Sequence, residues 1–336
     1  MNKYYSLFVA LAALVYCSCN KIADPSPDTL QSISLRDTLT LYTGNVVSLD
    51  IQVKPASFDT TKFIWGSSDT SVIAVTNRGQ ITAKNPGTSV VSVSNADKTK
   101  SVSCAVTVKD SLSIGLIAYY PFNNSAIDAT GHGYNGIGTD LTSAADRFGK
   151  PNSAYGFNGT SSYIVVQDKQ VLRLNNTDFT LNMWMNLDGY NSSSGSALLA
   201  KGNGPYQNGW NCSVTGLGTT NTGIGNAFYN VSGGDDPHAF GNTVIGLGKW
   251  TMVTITYNLA QQQISFYING VFDHATGGIP TPNPNTAVNL FIGKNSYIDP
   301  SGLTPAYYIK GKMDDIRIYN HIIPSHEITK LYKLSY

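Results

Sequence analysis

Alternation of apolar and polar residues, the period of a strand with one face in a core, recurs along most of this chain. Val47, Leu49, Ile51 and Val53 alternate with Ser48, Asp50, Gln52 and Lys54. Val102, Cys104, Val106 and Val108 alternate with Ser101, Ser103, Ala105 and Thr107. Farther on, Phe179, Leu181, Met183, Met185 and Leu187 interleave with Thr180, Asn182, Trp184 and Asn186. Thr251, Val253, Ile255 and Tyr257 interleave with Met252, Thr254 and Thr256. Ile264, Phe266 and Ile268 form another stripe, ending at the tight-turn pair Asn269-Gly270. Val288, Leu290 and Ile292, then Ile316 and Ile318, complete the series. A helical pattern is confined to Ser325–Tyr332. The runs predict an all-β chain: a sandwich over 30–108, a link at 109–114, and a larger two-sheet sandwich or jelly roll over 115–335.

The first residues depart from this pattern. Lys3 precedes Leu7–Val15, an apolar stretch of signal-peptide length that is too short to span a bilayer. Cys17, Ser18 and Cys19 follow, then a polar run through Pro25 and Pro27. This resembles a bacterial lipoprotein signal, in which 1–18 is removed and Cys19 is lipidated as the new N-terminus. Small Ser18 suits cleavage better than the Tyr16 that precedes Cys17. The resemblance implies an acyl anchor in the cell envelope, at the outer membrane or surface of a Gram-negative bacterium, with 19–29 as a tether. An ordinary secretory signal with two incidental cysteines is the alternative. Cys104 reads as a buried thiol acting as a small hydrophobe.

Composition narrows the partners. The 336 residues carry 22 Lys and Arg against 21 Asp and Glu, a net charge of +1 that gives no drive toward nucleic acid. Hydrophobic residues make up 41% of the chain, enough for a real core. Glu occurs once, at Glu327, and every other acid is Asp. Any mechanism that needs two Glu side chains is therefore excluded.

Specific motifs add two resemblances. Trp65-Gly66-Ser67-Ser68-Asp69, Ser71-Val72-Ile73-Ala74-Val75, Gly79-Gln80-Ile81-Thr82-Ala83, Pro86-Gly87-Thr88 and Cys104-Ala105-Val106-Thr107-Val108 resemble the bacterial Ig-like group 2 domain. Such modules act as spacers or adhesion units, with Trp65 as a core residue. The larger region carries Ala118-Tyr119-Tyr120-Pro121-Phe122-Asn123, Asp128-Ala129-Thr130-Gly131-His132-Gly133-Tyr134-Asn135-Gly136 and Asp146-Arg147-Phe148-Gly149. It continues with Ala154-Tyr155-Gly156-Phe157-Asn158-Gly159, Leu199-Ala200-Lys201-Gly202 and Gly311-Lys312-Met313-Asp314-Asp315-Ile316-Arg317-Ile318-Tyr319-Asn320. In that order these resemble a laminin-G-like, concanavalin-A-like jelly roll. Pro324 stands where relatives carry a Ser that caps the last helix, but Pro also suits a helix start.

Candidate chemistry is sparse. Glycosidases on the resembled fold use two Glu residues on one strand as acid and nucleophile, and a retaining pair must lie about 5–5.5 Å apart. Here Glu327 is alone, and adjacent Asp314 and Asp315 on a strand point to opposite faces. The five His show no metal-ligand spacing, and the G-x-G-x-x-G match at 131–136 opens no βαβ unit. Asp128 with its glycine-rich turn offers a carboxylate and exposed carbonyls to calcium. The resemblance places this loop near Asp314, which implies a structural calcium held by Asp128, Asp314 and the His132 carbonyl. The long Gly-, Ser- and Asn-rich stretch 189–243 carries Tyr190, Tyr206, Trp210, Phe228, Tyr229, His238 and Phe240. Aromatic faces with amides and carboxylates suit sugar binding, and Tyr206, Trp210 and Asp236 are the candidate contacts. Trp184 and Trp250 are expected in strands within the core. The reading is a non-catalytic, lipid-anchored protein whose jelly roll binds a glycan or glycosylated surface partner. A protein-binding adhesion scaffold is the alternative, ahead of a hydrolase.

Overall fold

Gly, Asn and Asp turns cut the chain into short alternating runs, and each run finds a strand partner. The computed structural model describes residues 29–192, 195–202, 209–218, 223–231, 237–282, 287–296 and 307–334. Residues 1–28, with the expected signal segment, Cys19 and the expected tether, lie outside the described residues, as do Tyr206 and Asp236. The chain divides between Asp110 and Ser111 into two compact units.

The first unit holds β1 (Ser32–Ser34), β2 (Thr38–Tyr42), β3 (Val46–Ser48), β4 (Gln52–Lys54) and β5 (Ile64–Ser67). It continues with β6 (Ile73–Val75), β7 (Gln80–Ala83), β8 (Gly87–Ser94) and β9 (Ser101–Lys109). The order β2-β9-β8-β5 forms one sheet, with β2 and β9 parallel; β3-β7-β6 forms a second, and β1-β4 a ribbon. Leu41, Ile73, Ile81, Val91, Cys104 and Val106 share its core. Trp65 packs on that core, and a Cβ at Gly79 would come within 2.5 Å of its ring. The single strand expected over 47–54 is two: β3 pairs with β7, and β4 pairs with β1. Alternation survives the break because each half keeps one face toward apolar neighbours.

The second unit opens with β10 (Leu116–Tyr120), β11 (Gly136–Thr139), β12 (Thr142–Ala144), β13 (Ala154–Asn158) and β14 (Tyr163–Val166). Next come β15 (Phe179–Gly189), β16 (Gly195–Gly202), β17 (Gly209–Thr215), β18 (Asn226–Val231) and β19 (His238–Val244). It ends with β20 (Thr251–Asn258), β21 (Gln263–Ile268), β22 (Val271–Thr276), β23 (Leu290–Ile292), β24 (Lys310–Tyr319) and α1 (Ser325–Lys333). An eight-stranded sheet runs β12-β13-β24-β15-β20-β21-β22, with β10 also paired to β24. A seven-stranded sheet runs β11-β14-β23-β16-β17-β18-β19. The main core lies between them and takes in Phe179, Leu181, Met183, Trp210, Tyr229, Ile255 and Ile292.

The far face of the eight-stranded sheet is covered too. Trp184, Met252 and Tyr319 pack with Leu112, Ile328 and Leu331 beneath α1, and the Trp184 ring stacks on Tyr332 at 5.5 Å. Both faces of β15 are therefore buried. Trp250 does not sit in a strand; it precedes β20 and packs against the α1 cluster. Asn269 and Gly270 have φ of +52° and +81°, the two left-handed residues of the hairpin between β21 and β22. β19 and β22 each end a sheet, and Asp273 of β22 bridges them by accepting from the N–H of Asn242 (2.6 Å) and Thr243 (3.1 Å).

Candidate functional site

Asp128 is buried at the start of the glycine-rich turn. Its Oδ1 accepts from the backbone N–H of Tyr119 (3.1 Å) and Thr130 (3.1 Å) and from the Thr130 hydroxyl (2.8 Å). Its Oδ2 accepts from the same hydroxyl (2.8 Å) and from the Tyr134 N–H (3.3 Å). The turn thus closes on its own carboxylate, which satisfies N–H groups that no strand partner reaches. His132 is exposed, with Nδ1 2.9 Å from the Thr130 hydroxyl and 3.0 Å from the Ile117 carbonyl.

Asp314 and Asp315 depart from simple alternation. Trp184 pairs with Asp314 and Asn182 with Arg317, so Asp315 and Ile316 together oppose Met183 in a β-bulge. Asp315 has φ +50° at that bulge. Both carboxylates consequently reach one guanidinium, Arg147 Nη1 to Asp314 Oδ2 at 2.9 Å and Nη2 to Asp315 Oδ2 at 3.0 Å. Opposite faces, expected for two adjacent residues of a regular strand, do not hold for Asp314 and Asp315, because the bulge turns both toward one cation. Arg317 lies 3.1 Å from the other Asp315 oxygen, and Arg147 is 4.6 Å from the centres of both the Phe148 and Trp184 rings. Burial, then the charge of Asp315, push the Asp314 carboxyl up to about 7, against the pull of Arg147. A cavity of about 220 Å³ adjoins the cluster, walled by Tyr119, Asn123 and Lys150.

These arrangements do not fit the expected calcium set of Asp128, His132 and Asp314. The Asp128 oxygens are engaged by N–H and O–H donors, and Asp314 already faces the Arg147 cation. The two segments do approach, since Tyr119 donates to Asp128 and pairs with Arg317 of β24, but the two carboxylates meet different partners. Among the described residues, no group of three or more His, Cys, Asp or Glu is placed to hold a metal ion. Glu327 lies on α1, with Lys330 Nζ at 3.6 Å.

Trp210 is not an exposed platform. It lies in β17, fully buried, and its Nε1 donates to the Leu172 carbonyl at 3.2 Å. The flanking Gly and Asn suggest a loop, but Gly209 has φ +108° and a Cβ there would stand 2.0 Å from the Lys201 carbonyl. The glycine thus marks a close approach of two paired strands, and Trp210, Cys212 and Val214 alternate into the core.

Residues between those core positions face away from it and form a continuous row. Register pairs link Ile137 to Val165, Phe291, Ala200, Asn211, Asn230 and His238 across the seven-stranded sheet. Beside it Ser213, Phe228 and Phe240 are linked in the same way. Phe228, His238 and Phe240 form a cluster with ring centroids 4.9–5.9 Å apart. The Asn211 Oδ1 is buried and has no hydrogen-bond partner among the described residues. At the row's other end, the Tyr163 and Phe291 rings lie 5.9 Å apart. Sequence reasoning noted Phe228, His238 and Phe240 but not their shared face. The alternation of Ala227, Tyr229 and Val231 with Phe228 and Asn230 carries that signal.

Two facing antiparallel sheets around one core, with an amide- and aromatic-lined outer face, define a lectin-like jelly roll. The profile of the Laminin_G_3 family, described as concanavalin A-like lectin/glucanases superfamily, matches residues 158–329, and the chain belongs to this family. No curated protein matches the chain in sequence. Among solved structures, it is similar to domain 4 of AbnA, a GH43 extracellular arabinanase from Geobacillus stearothermophilus in complex with arabinotriose. That match is 22% identical with TM-score 0.50, covering 65% of this chain and 98% of that one. It is also similar to the binding domain of Paraclostridial Mosquitocidal Protein 1, at 17% identity and TM-score 0.50, covering 66% of this chain and 52% of that one. The binding domain of botulinum neurotoxin serotype D/C VPI 5993 matches at 14% identity and TM-score 0.50, with the same coverages of 66% and 52%. The chain thus spans about half the length of these two toxin domains, and the three likenesses establish the fold.

Proposed function

We propose that the jelly roll binds a glycan chain on the outer face of its seven-stranded sheet and performs no chemistry on it. The cluster of Phe228, His238 and Phe240 on this face carries the reading. Sugar rings present C–H faces that stack on aromatic rings and hydroxyls that pair with amides. The arabinotriose in the arabinanase domain supports the same chemistry for this fold. Tyr206 and Asp236, which the sequence places between β16 and β17 and between β18 and β19, lie outside the described residues and remain candidate contacts on composition alone.

Among the described residues, the acids offer no free catalytic pair. Glu327 is the sole Glu, and Asp314 and Asp315 are both engaged with Arg147. Residues 30–108 would act as an Ig-like spacer above an acyl anchor at Cys19, placing the jelly roll at the surface of the envelope. The family resemblance of residues 65–108 and the polar tether support that arrangement.

A glycan array with the mature chain tests the reading, followed by titration of any hit against Phe240→Ala. The expected loss is about tenfold in affinity, the scale of one aromatic contact, with an unchanged melting temperature. Equal binding by the variant would overturn the assigned face. Capture of a protein partner with a blank array would favour the adhesion scaffold. Release of reducing sugar, lost in Asp314→Asn, would overturn the non-catalytic reading.

A further inference from the structure

We propose that Lys294 forms an anion subsite at the Phe291 end of this face, so that the glycan held there carries a carboxylate or a sulfate. The inference rests on the glycan reading and specifies its ligand class.

β23 alternates Leu290 and Ile292 into the core with Phe291 outward, and its neighbour β14 alternates Ile164 inward with Tyr163 outward. Continued alternation would send residue 294 inward. Gly293 has φ +87°, and the left-handed turn redirects the chain. Lys294 therefore lies over the two outward rings, with Nζ 4.5 Å from the centre of Tyr163 and 4.5 Å from that of Phe291. The residue is only 3% exposed.

Lys201 lies on the adjacent strand β16 and is also fully buried, but its Nζ donates to Asp168 Oδ1 (2.5 Å) and to the Val288 carbonyl. Its charge is matched inside the protein. Lys294 Nζ has no hydrogen bond or ion pair among the described residues, and burial lowers its pKa without any counteracting carboxylate. Ring faces attract an ammonium, but they are poor substitutes for hydrogen-bond acceptors, and three N–H donors need partners. An anionic group on a bound chain would supply both charge and acceptors. The row from Phe291 to His238 crosses four strand spacings, about 19 Å at ~4.8 Å each. An oligosaccharide can therefore place its acidic unit on Lys294 while a distant unit stacks on Phe228 and Phe240.

The test uses the mature chain with two matched probe pairs. One is oligogalacturonate against its methyl ester, and the other is sulfated against unsulfated dextran oligosaccharide, both by calorimetry. In parallel, ring-labelled NMR follows Tyr163 and Phe291 during titration with sodium glucuronate, and with glucose at matched ionic strength. Expected is about tenfold or greater preference for one acidic probe over its neutral partner, the scale of one charged hydrogen bond. Lys294→Met should abolish that preference and the glucuronate shifts, while Lys294→Arg keeps both. The preferred pair distinguishes carboxylate from sulfate. Neutral probes bound as tightly as acidic ones would overturn the subsite and leave the glycan reading standing. Ring shifts with glucuronate alongside a blank array would retain the subsite and remove the glycan reading. No shift and no acidic preference would overturn the subsite, as would preference retained by Lys294→Met.

Discussion

Asp314→Asn offers a quantitative probe of the buried charge cluster on β24. In the folded chain the Asp314 carboxyl titrates at about 7, against 3.8 for an unperturbed Asp, because burial and then the Asp315 charge oppose ionisation. Between those values the folded state holds a proton that the unfolded chain has released. The contribution of Asp314 is therefore fully favourable below pH 3.8, declines as pH rises through that window, and levels off above about 7. A shift of this size corresponds to at most about 4 kcal/mol, with a slope of up to about 1.4 kcal/mol per pH unit. Asp314→Asn removes the titrating group while keeping its size, so the decline between pH 4.5 and 7.5 should flatten. Urea unfolding, followed by tryptophan fluorescence in a Trp65→Phe background, isolates the jelly-roll unit. If wild type and variant decline in parallel, other groups are responsible and the assignment to Asp314 is wrong. A wild type that gains stability across this window would refute the sign.

Other outcomes follow from the same physical picture. Lys201→Met should cost about 2 kcal/mol in the same unfolding assay, because it deprives Asp168 of one charged hydrogen bond and leaves Arg173 as its partner. Trp210→Ala should cost about 3–5 kcal/mol as a core cavity, so any lost binding would track lost folding in circular dichroism. Asp128→Ala should lower the melting temperature of the jelly roll by leaving the Tyr119, Thr130 and Tyr134 N–H groups without their acceptor. Calcium and chelator should give the same melting temperature in wild type, as measured by scanning calorimetry. Cys19→Ser should move the protein from the membrane fraction to the soluble fraction, read by immunoblot after ultracentrifugation.

The strands were legible because alternation reports burial directly: Phe179 to Leu187 and Ile264 to Ile268 lie where the pattern places them. The tight turn at Asn269-Gly270 was legible for the same kind of local reason, since few residue pairs tolerate two left-handed conformations. The burial of Trp210 is not legible in the sequence, because a glycine before it signals a loop as readily as a close approach between strands. The shared contact of Asp314 and Asp315 was invisible, because a bulge changes which way side chains point without any mark in the local sequence. The role of Asp128 depended on distance along the chain, with one of its donors coming from β10. Lys294 was likewise unreadable until the turn at Gly293 was seen to break its strand's alternation.

Asp273 has an effect beyond local bonding. Terminal strands with unsatisfied backbone donors recruit further strands, and stacking of neighbouring molecules follows. By capturing Asn242 and Thr243, this carboxylate occupies N–H groups that an incoming polypeptide would use, even though Val271 and Phe272 are exposed beside it. A high local concentration of copies would then be compatible with each remaining separate from the next.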